Sequence, residues 1–194
     1  MDLTSHLWTS AVVFAATDID DLVLLTAFFA DERMRRGAIV AGQFLGIGAL
    51  TAASAIAAIA ALAVPPHWPS LLGAIPLLMG LWKAWELIRG QGGDSDDESE
   101  DARRAAGRSG SQVLMVAAVT IANGGDNLSV YIPVFANDLA AVPLFVVVFS
   151  VLTVVWCWLG YAFVKHPAGA AVMRRYGHFI LPGVLIAIGF LILF

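Results

Sequence analysis

The chain has 194 residues, of which 59% are hydrophobic and only 13% charged, with a mean hydropathy of +0.81. Soluble domains carry charge on about a quarter of their residues, so this composition excludes an ordinary water-soluble globule. The net charge of −4 decides little, and the lone Cys157 excludes an intrachain disulfide and a multi-thiolate metal site.

Six stretches reach membrane-crossing length, which takes about 20 residues at a helical rise of about 1.5 Å. The first, 7–29, holds the acidic run Thr17-Asp18-Ile19-Asp20-Asp21-Leu22 near its centre. No basic region precedes it and no small-residue cleavage site follows, so it is expected to remain as a span. The second, 37–63, contains Gly42-Gln43-Phe44-Leu45-Gly46 and an alanine-rich run. Glycines four apart on an apolar helix point to close helix packing. Gln43 between them is the polar exception, either a ligand or a donor to one. The third stretch, 70–88, follows Pro65-Pro66-His67-Trp68-Pro69.

A polar run then extends from Gly90 to Ser111 and includes Asp94-Ser95-Asp96-Asp97-Glu98-Ser99-Glu100-Asp101. Its composition predicts a solvated linker, and it lacks the glycine and spacing of a calcium-binding loop. The fourth stretch, 113–136, carries Asn123-Gly124-Gly125-Asp126-Asn127-Leu128. The fifth, 141–163, holds Cys157 between Trp156 and Trp158, which reads as a buried apolar cysteine. The sixth, 178–194, is short for a span. Trp8, Trp68, Trp82 and Trp85 lie near segment ends and read as interfacial anchors. His6, His67, His166 and His178 are also near ends, at spacings unlike a metal-binding cluster.

Basic residues orient the spans. Arg33, Arg35 and Arg36 lie in the first connection; Lys83, Arg89, Arg103, Arg104 and Arg108 flank or occupy the third; Lys165, Arg174 and Arg175 lie in the fifth. Those are all 11 Lys and Arg of the chain, and the second and fourth connections have none. The positive-inside rule then places odd connections in the cytoplasm and both termini outside.

The acidic motifs also repeat. Asp126 follows Asp20 by 106 residues, Leu128 follows Leu22 by the same interval, and both segments finish in Phe-Ala (Phe29-Ala30, Phe135-Ala136). Leu71 to Trp82 reads against Ile180 to Leu191 at an offset of 109, with Gly80 on Gly189. Three spans per half reverse the second half in the bilayer. The expected fold is therefore all-α and membrane-integral, with six transmembrane helices as two inverted three-helix repeats, N-out/C-out. The repeats are 1–89 and 112–194, joined by an acidic cytoplasmic linker, 90–111. Inverted repeats of this kind place a binding site near the midplane, where the halves meet.

A carboxylate at mid-bilayer depth costs roughly 2.5–3.5 kcal/mol on insertion scales. A chain that keeps Asp18, Asp20, Asp21 and Asp126 there is expected to use them on a cation. On an unbroken helix Asp18 and Asp21 share a face, while Asp20 points about 200° away from Asp18. Convergence requires local unwinding, which Gly124-Gly125 favours in the second motif and which frees backbone carbonyls. The candidate metal ligands are Asp20, Asp21, Asp126, Asn127, Asp18, Thr17, Asn123 and Gln43. Asn123 and Asn127 share a face if the turn between them stays wound. Oxygen donors of this kind suit hard divalent cations such as calcium, magnesium or manganese. No Lys, Arg or His is expected at mid-membrane depth to neutralise the acids. Protonation removes most of the charge cost, so a pocket that trades protons for a cation follows.

The run from Thr17 to Leu22, the Gly42–Gly46 stretch, and Asn123–Asn127 followed by Tyr131-Ile132-Pro133-Val134-Phe135-Ala136 resemble the cadmium-resistance transporter family of the lysine-exporter superfamily. The likeness runs over nearly the whole chain, and the second acidic motif is its most specific part. It implies a six-helix, multi-pass permease of the bacterial inner (cytoplasmic) membrane that exports cadmium and other divalent cations. By motif position Asp20, Asp21, Asp126 and Asn127 are the core polar set it implies. The acidic linker stands outside the resemblance. Cadmium and calcium have similar radii, so the family label leaves manganese, calcium, magnesium and zinc open as cargo.

The sequence thus leads to a secondary transporter, not an enzyme, that exports a divalent cation and holds no tightly bound cofactor. Export against a negative interior is uphill by about 4.6 kcal/mol per 100 mV for two charges. Neither a phosphate-binding glycine loop nor an Asp-Lys-Thr-Gly motif is present to couple it to ATP, which leaves proton antiport. The expected partners are the lipid bilayer, the cation, protons and a second copy in a homodimer, with no nucleic acid. Three rivals stand beside this reading. An amino-acid or organic-cation exporter of the same superfamily needs a mid-membrane base for the substrate carboxylate. A divalent-cation channel needs no counter-ion. An intramembrane aspartyl protease is suggested by Gly124-Gly125-Asp126, but six helices are few and no Pro-Ala-Leu segment occurs.

Overall fold

A computed structural model describes residues 3–61, 72, 74–89, 111–166, 182–183 and 185–190. The acidic linker stretch 94–101, the Pro65–Pro69 connection with His67 and Trp68, Arg103, Arg104, Arg108, Arg174, Arg175 and His178 lie outside the described residues.

The all-α expectation holds, with no strand among the described residues. The first apolar segment forms α1 (Leu3–Thr17) and α2 (Ile19–Ala30), and the second forms α3 (Arg36–Ala61). The third contains α4 (Ala74–Arg89), and the fourth forms α5 (Gln112–Asn123) and α6 (Gly125–Asn137). The fifth forms a 3-10 turn (Leu139–Ala141) and α7 (Val142–Lys165), and residues 185–190 of the sixth are helical. Two described stretches, Arg36–Ala61 and Leu139–Lys165, are long and apolar enough to cross a membrane. The α5–α6 pair passes as a third, bent by 68°.

Polar residues set the ends of these helices. Asp31 Oδ1 accepts from the Arg33 amide at 2.9 Å, and Asp138 Oδ1 accepts from the Ala140 amide at 3.0 Å. Gln112, opening α5, donates to the Arg33 carbonyl at 2.8 Å and accepts from the Arg35 amide at 2.9 Å. The start of α5 is therefore tied to the α2–α3 turn. At another corner His6 of α1 lies 3.5 Å from Asp138, which follows α6.

Small residues decide which helices touch. A Cβ added at Gly42 would sit 2.6 Å from Val116 Cβ and 2.7 Å from the Val113 carbonyl oxygen. One at Gly46 would sit 2.6 Å from Thr120 Cβ. The Gly42–Gly46 stretch is thus a packing seam in which α3 and α5 run parallel, because rising numbers on one meet rising numbers on the other. Gly160 of α7 meets Leu25 of α2 in the same manner, with an added Cβ 2.8 Å from Leu25 Cβ. In the third and sixth segments the order reverses. Gly80 meets Leu185 and Ile186, while Gly189 meets Leu77, so these two run antiparallel. At an offset of 109, Gly80 on Ile186 and Leu77 on Gly189 are one contact seen twice.

Aromatic side chains fill the space where α1, α6 and α7 meet. Phe14 packs on Phe149 and Trp156 with ring centroids 5.3 Å apart in each case, and Tyr131 lies 4.7 Å from Phe149. Trp8, Trp82 and Trp85 point outward, where interfacial anchors would be.

The seam yields a direct test. Gly42→Ala and Gly46→Ala should each destabilise the detergent-solubilised protein by about 1–3 kcal/mol, the usual cost of overpacking. Gly48→Ala, with nothing within 4 Å of the added carbon, should be neutral or stabilising. A thermal-unfolding series on the three variants checks the contrast.

Candidate cation site at the two helix breaks

The first and fourth apolar segments are both broken, at Asp18 (φ −99°, ψ 15°) and at Gly124 (φ −81°, ψ 22°). Gly124 stands 106 residues after Asp18, so the breaks share the register that relates the two acidic motifs. Each break starts a new helix whose first turn is acidic: Asp20 and Asp21 in α2, Asp126 in α6. The positive end of a helix stabilises negative charge there. Asp20 Oδ1 accepts from the Asp21 amide at 2.9 Å, and Asp126 Oδ1 accepts from the Asn127 amide at 3.0 Å. The two residues matched by sequence thus make the same backbone contact. Gly124 sits close against the Leu50 side chain of α3, which would have to shift to admit a Cβ there.

Asp18 and Asp21 are held differently. Asp18 is buried and accepts from Asn127 Nδ2 at 3.0 Å and from the Tyr131 hydroxyl at 2.9 Å. Thr17 Oγ1 lies 3.1 Å from Asp18 Oδ2 and 3.0 Å from the Val13 carbonyl, and its one proton can serve either. Asp21 accepts from Gln43 Nε2 at 2.5 Å and from Asn123 Nδ2 at 3.1 Å. Gln43 Oε1 in turn accepts from the Thr120 hydroxyl at 2.7 Å. Gln43 therefore acts as an orienting donor to Asp21. Asn123 and Asn127 do not share a face, because the chain bends between them and each amide serves a different carboxylate.

The structure gathers six of the eight candidate residues into two hydrogen-bonded groups, with Asp20 and Asp126 held separately. Thr17, Asp18 and Asn127 join with Tyr131; Asp21, Gln43 and Asn123 join with Thr120. Asp20 is half-buried, and the strongest charge acting on it is that of Asp126, followed by Asp21 and Lys83. Among the described residues no three His, Cys, Asp or Glu side chains are grouped closely enough to hold a metal ion by themselves.

One sequence expectation is overturned. A base does reach the acids: Lys83 Nζ lies 3.5 Å from Asp126 Oδ2, with the Asp126 side chain fully buried and that of Lys83 23% exposed. Lys83 belongs to α4, which packs against α6, rather than to the connection that follows. Its long stem carries the charge away from its own backbone position, which no count of basic residues per connection registers. Sequence reading also passed over Tyr131, Thr120 and Trp156 as site residues. Trp156 Nε1 donates to the Asp18 carbonyl at 2.6 Å, so the carbonyl freed at that break is taken by an indole. A polar tip on a buried aromatic residue is a signal available from sequence, but not its partner.

No curated protein and no solved structure matched the chain. A family model described as cadmium resistance transporter matches residues 14–194, taking in both acidic motifs, the glycine seam and Lys83. The chain, an integral membrane protein, belongs to the cadmium resistance transporter family.

Proposed function

We propose that the protein exports divalent cations of the cadmium class as a secondary transporter, exchanging them for protons at the carboxylates of the two helix breaks. The observation that carries this is the matched placement of Asp20 and Asp126. Each opens a half-helix at the same register and accepts one backbone amide through one oxygen, and Asp126 is the foremost of the charges that act on Asp20. A dication between them would gain two carboxylates at once. Asn127, Asn123, Thr17 and water supply neutral oxygens to complete its shell, as hard cations require. Asp18 and Asp21, already engaged by amide and hydroxyl donors, shape that shell and join it on rearrangement. Protons taking the cation's place would spare the emptied site its charge while it reorients.

Relative helix directions favour two oppositely oriented three-helix halves, and the distribution of basic residues favours an inner membrane with both termini outside. Segments two and four run parallel and three and six antiparallel, and the pairs Phe14–Phe149, Asp18–Trp156 and Phe29–Tyr161 set one and five parallel. Six alternating crossings require each of those relations. The ties of Gln112 to the α2–α3 turn and of His6 to Asp138 also fit, since each joins chain positions that six crossings put on one side.

One observation favours a second reading. Lys83 removes the objection that an amino-acid exporter would lack a base for the substrate carboxylate. Asp126 already occupies that base, and the family points to a metal, so the cation reading is preferred.

Three outcomes are expected. Asp126→Asn or Asp20→Asn should lower cadmium efflux from metal-loaded proteoliposomes by about 100-fold, in the range seen when a positioned group is lost. Asp138→Asn, on the far α6 flank, should leave efflux unchanged. Cadmium addition to wild-type proteoliposomes should release protons, read with a pH-sensitive dye; equal release from the Asp20→Asn/Asp126→Asn protein would refute the antiport. Competition by lysine or arginine, but not by manganese, calcium or zinc, would transfer the assignment to an amino-acid substrate.

A further inference from the structure

The two halves duplicate the carboxylate but not its cation. Asp126 has Lys83 at 3.5 Å, whereas Asp20, its equivalent, has no ion pair among the described residues. The position 109 residues after Lys83 is Ile192, an apolar residue. One ammonium group therefore serves the pair, next to Asp126 and within electrostatic reach of Asp20.

Its placement suits a group that must leave. Charge-assisted contacts between an ammonium and a carboxylate close to about 2.7–2.9 Å when tight. At 3.5 Å this pair is looser, and the lysine end is partly exposed while the carboxylate is not. Lys83 follows Met79 by one helical turn on the face of α4 turned to the start of α6. A Cβ added at Gly125 would lie 3.7 Å from Met79 Cε, an ordinary packing distance that sets this face of α4 against the start of α6. Only a few residues separate both from Gly80, where the third and sixth segments cross. The ammonium is thus carried by an element whose own packing is a close crossing between the two halves.

Resting on the cation reading above, we infer that Lys83 is a tethered counter-cation, seated on Asp126 when the site is empty and displaced by the arriving dication. A doubly charged ion outcompetes a single ammonium for the same oxygen and also engages Asp20. On its departure Lys83 returns to Asp126 while protons go to the carboxylates of the first break, so the emptied carrier never reorients with Asp126 unopposed. The role uses the charge of Lys83, not its proton. It makes Lys83 a determinant of affinity and of turnover, in opposite senses.

Equilibrium cadmium binding to purified wild type, Lys83→Met, Lys83→Arg, Asp126→Asn and Lys83→Met/Asp126→Asn tests this. Removing the competitor in Lys83→Met should tighten binding about tenfold, the low end of measured close charge-pair couplings. Lys83→Arg, whose forked guanidinium grips a carboxylate through two donors, should weaken it about threefold. In the Asp126→Asn background the methionine should change affinity by no more than about twofold, the signature of a direct pair in a double-mutant cycle. In proteoliposomes Lys83→Met should retain cadmium–cadmium exchange while net efflux falls about tenfold or more, since only net efflux needs the empty carrier to return. Weaker or unchanged binding in Lys83→Met, alongside lost binding in Asp126→Asn, overturns the counter-cation and leaves the cation site standing. Wild-type binding in Asp126→Asn overturns both. Should Lys83→Met prove too unstable to purify, Lys83→Arg decides alone: affinity equal to or above wild type overturns the inference.

Discussion

Backbone polar groups released inside a membrane have no water to turn to, and this fold depends on how two such releases are satisfied. At the first break the Asp18 amide still reaches the Phe14 carbonyl at 2.9 Å, and its own carbonyl is met by the Trp156 indole. At the second, the Gly124 amide reaches the Ile121 carbonyl and its carbonyl accepts from Leu128, both at 3.1 Å. With the backbone settled, the half-helices α2 and α6 present fresh N-termini within the apolar interior. Acidic side chains in their first turns are the chemistry such ends hold most readily.

Packing and site are one system, because the helices that close on the breaks also supply the donors. Gly42 and Gly46 let α3 approach α5 closely enough for Gln43 to reach Thr120 on that helix and Asp21 on α2. Thr120 is at once the residue against which Gly46 packs and the donor to Gln43. A side chain at Gly46 would part the helices and break the chain of contacts to Asp21. On the opposite flank α7 packs along α1 and α2, and Trp156 both stacks edge-on with Phe14 and anchors the Asp18 carbonyl. Sliding of either helix would therefore register at a carboxylate, which is the coupling an alternating-access carrier requires.

Much of this was legible because it is local. Apolar runs of membrane length place the segments to within a few residues, and acids within them require a break to converge. Glycines four apart signal a close approach whatever the partner. What escaped detection is long-range. Tyr131 meets Asp18 from 113 positions away and Trp156 meets it from 138, and both sit in stretches whose periodicity announces only a buried helix face. Lys83 escaped for a different reason. It stands six residues before Arg89, about 9 Å along a helix, and direction rather than depth decides which acid it meets.

The two acidic motifs differ at matched register, and the difference has a physical sense. At matched register Asp18 stands against Gly124, Asp21 against Asn127 and Thr17 against Asn123, while Asp20 and Asp126 are the same. An exact repeat of the first motif would bring six carboxylates together, and their repulsion would oppose assembly. In this chain the second half has exchanged acids for amides, and each amide donates across the interface: Asn127 to Asp18 and Asn123 to Asp21. The first half thus supplies most of the charge and the second most of the donors. The hydrogen bonds that fill the site thus also hold the two motifs to each other across the interior. Asp20 and Asp126, the acids common to both motifs, keep the same contact with the backbone amide of the residue that follows.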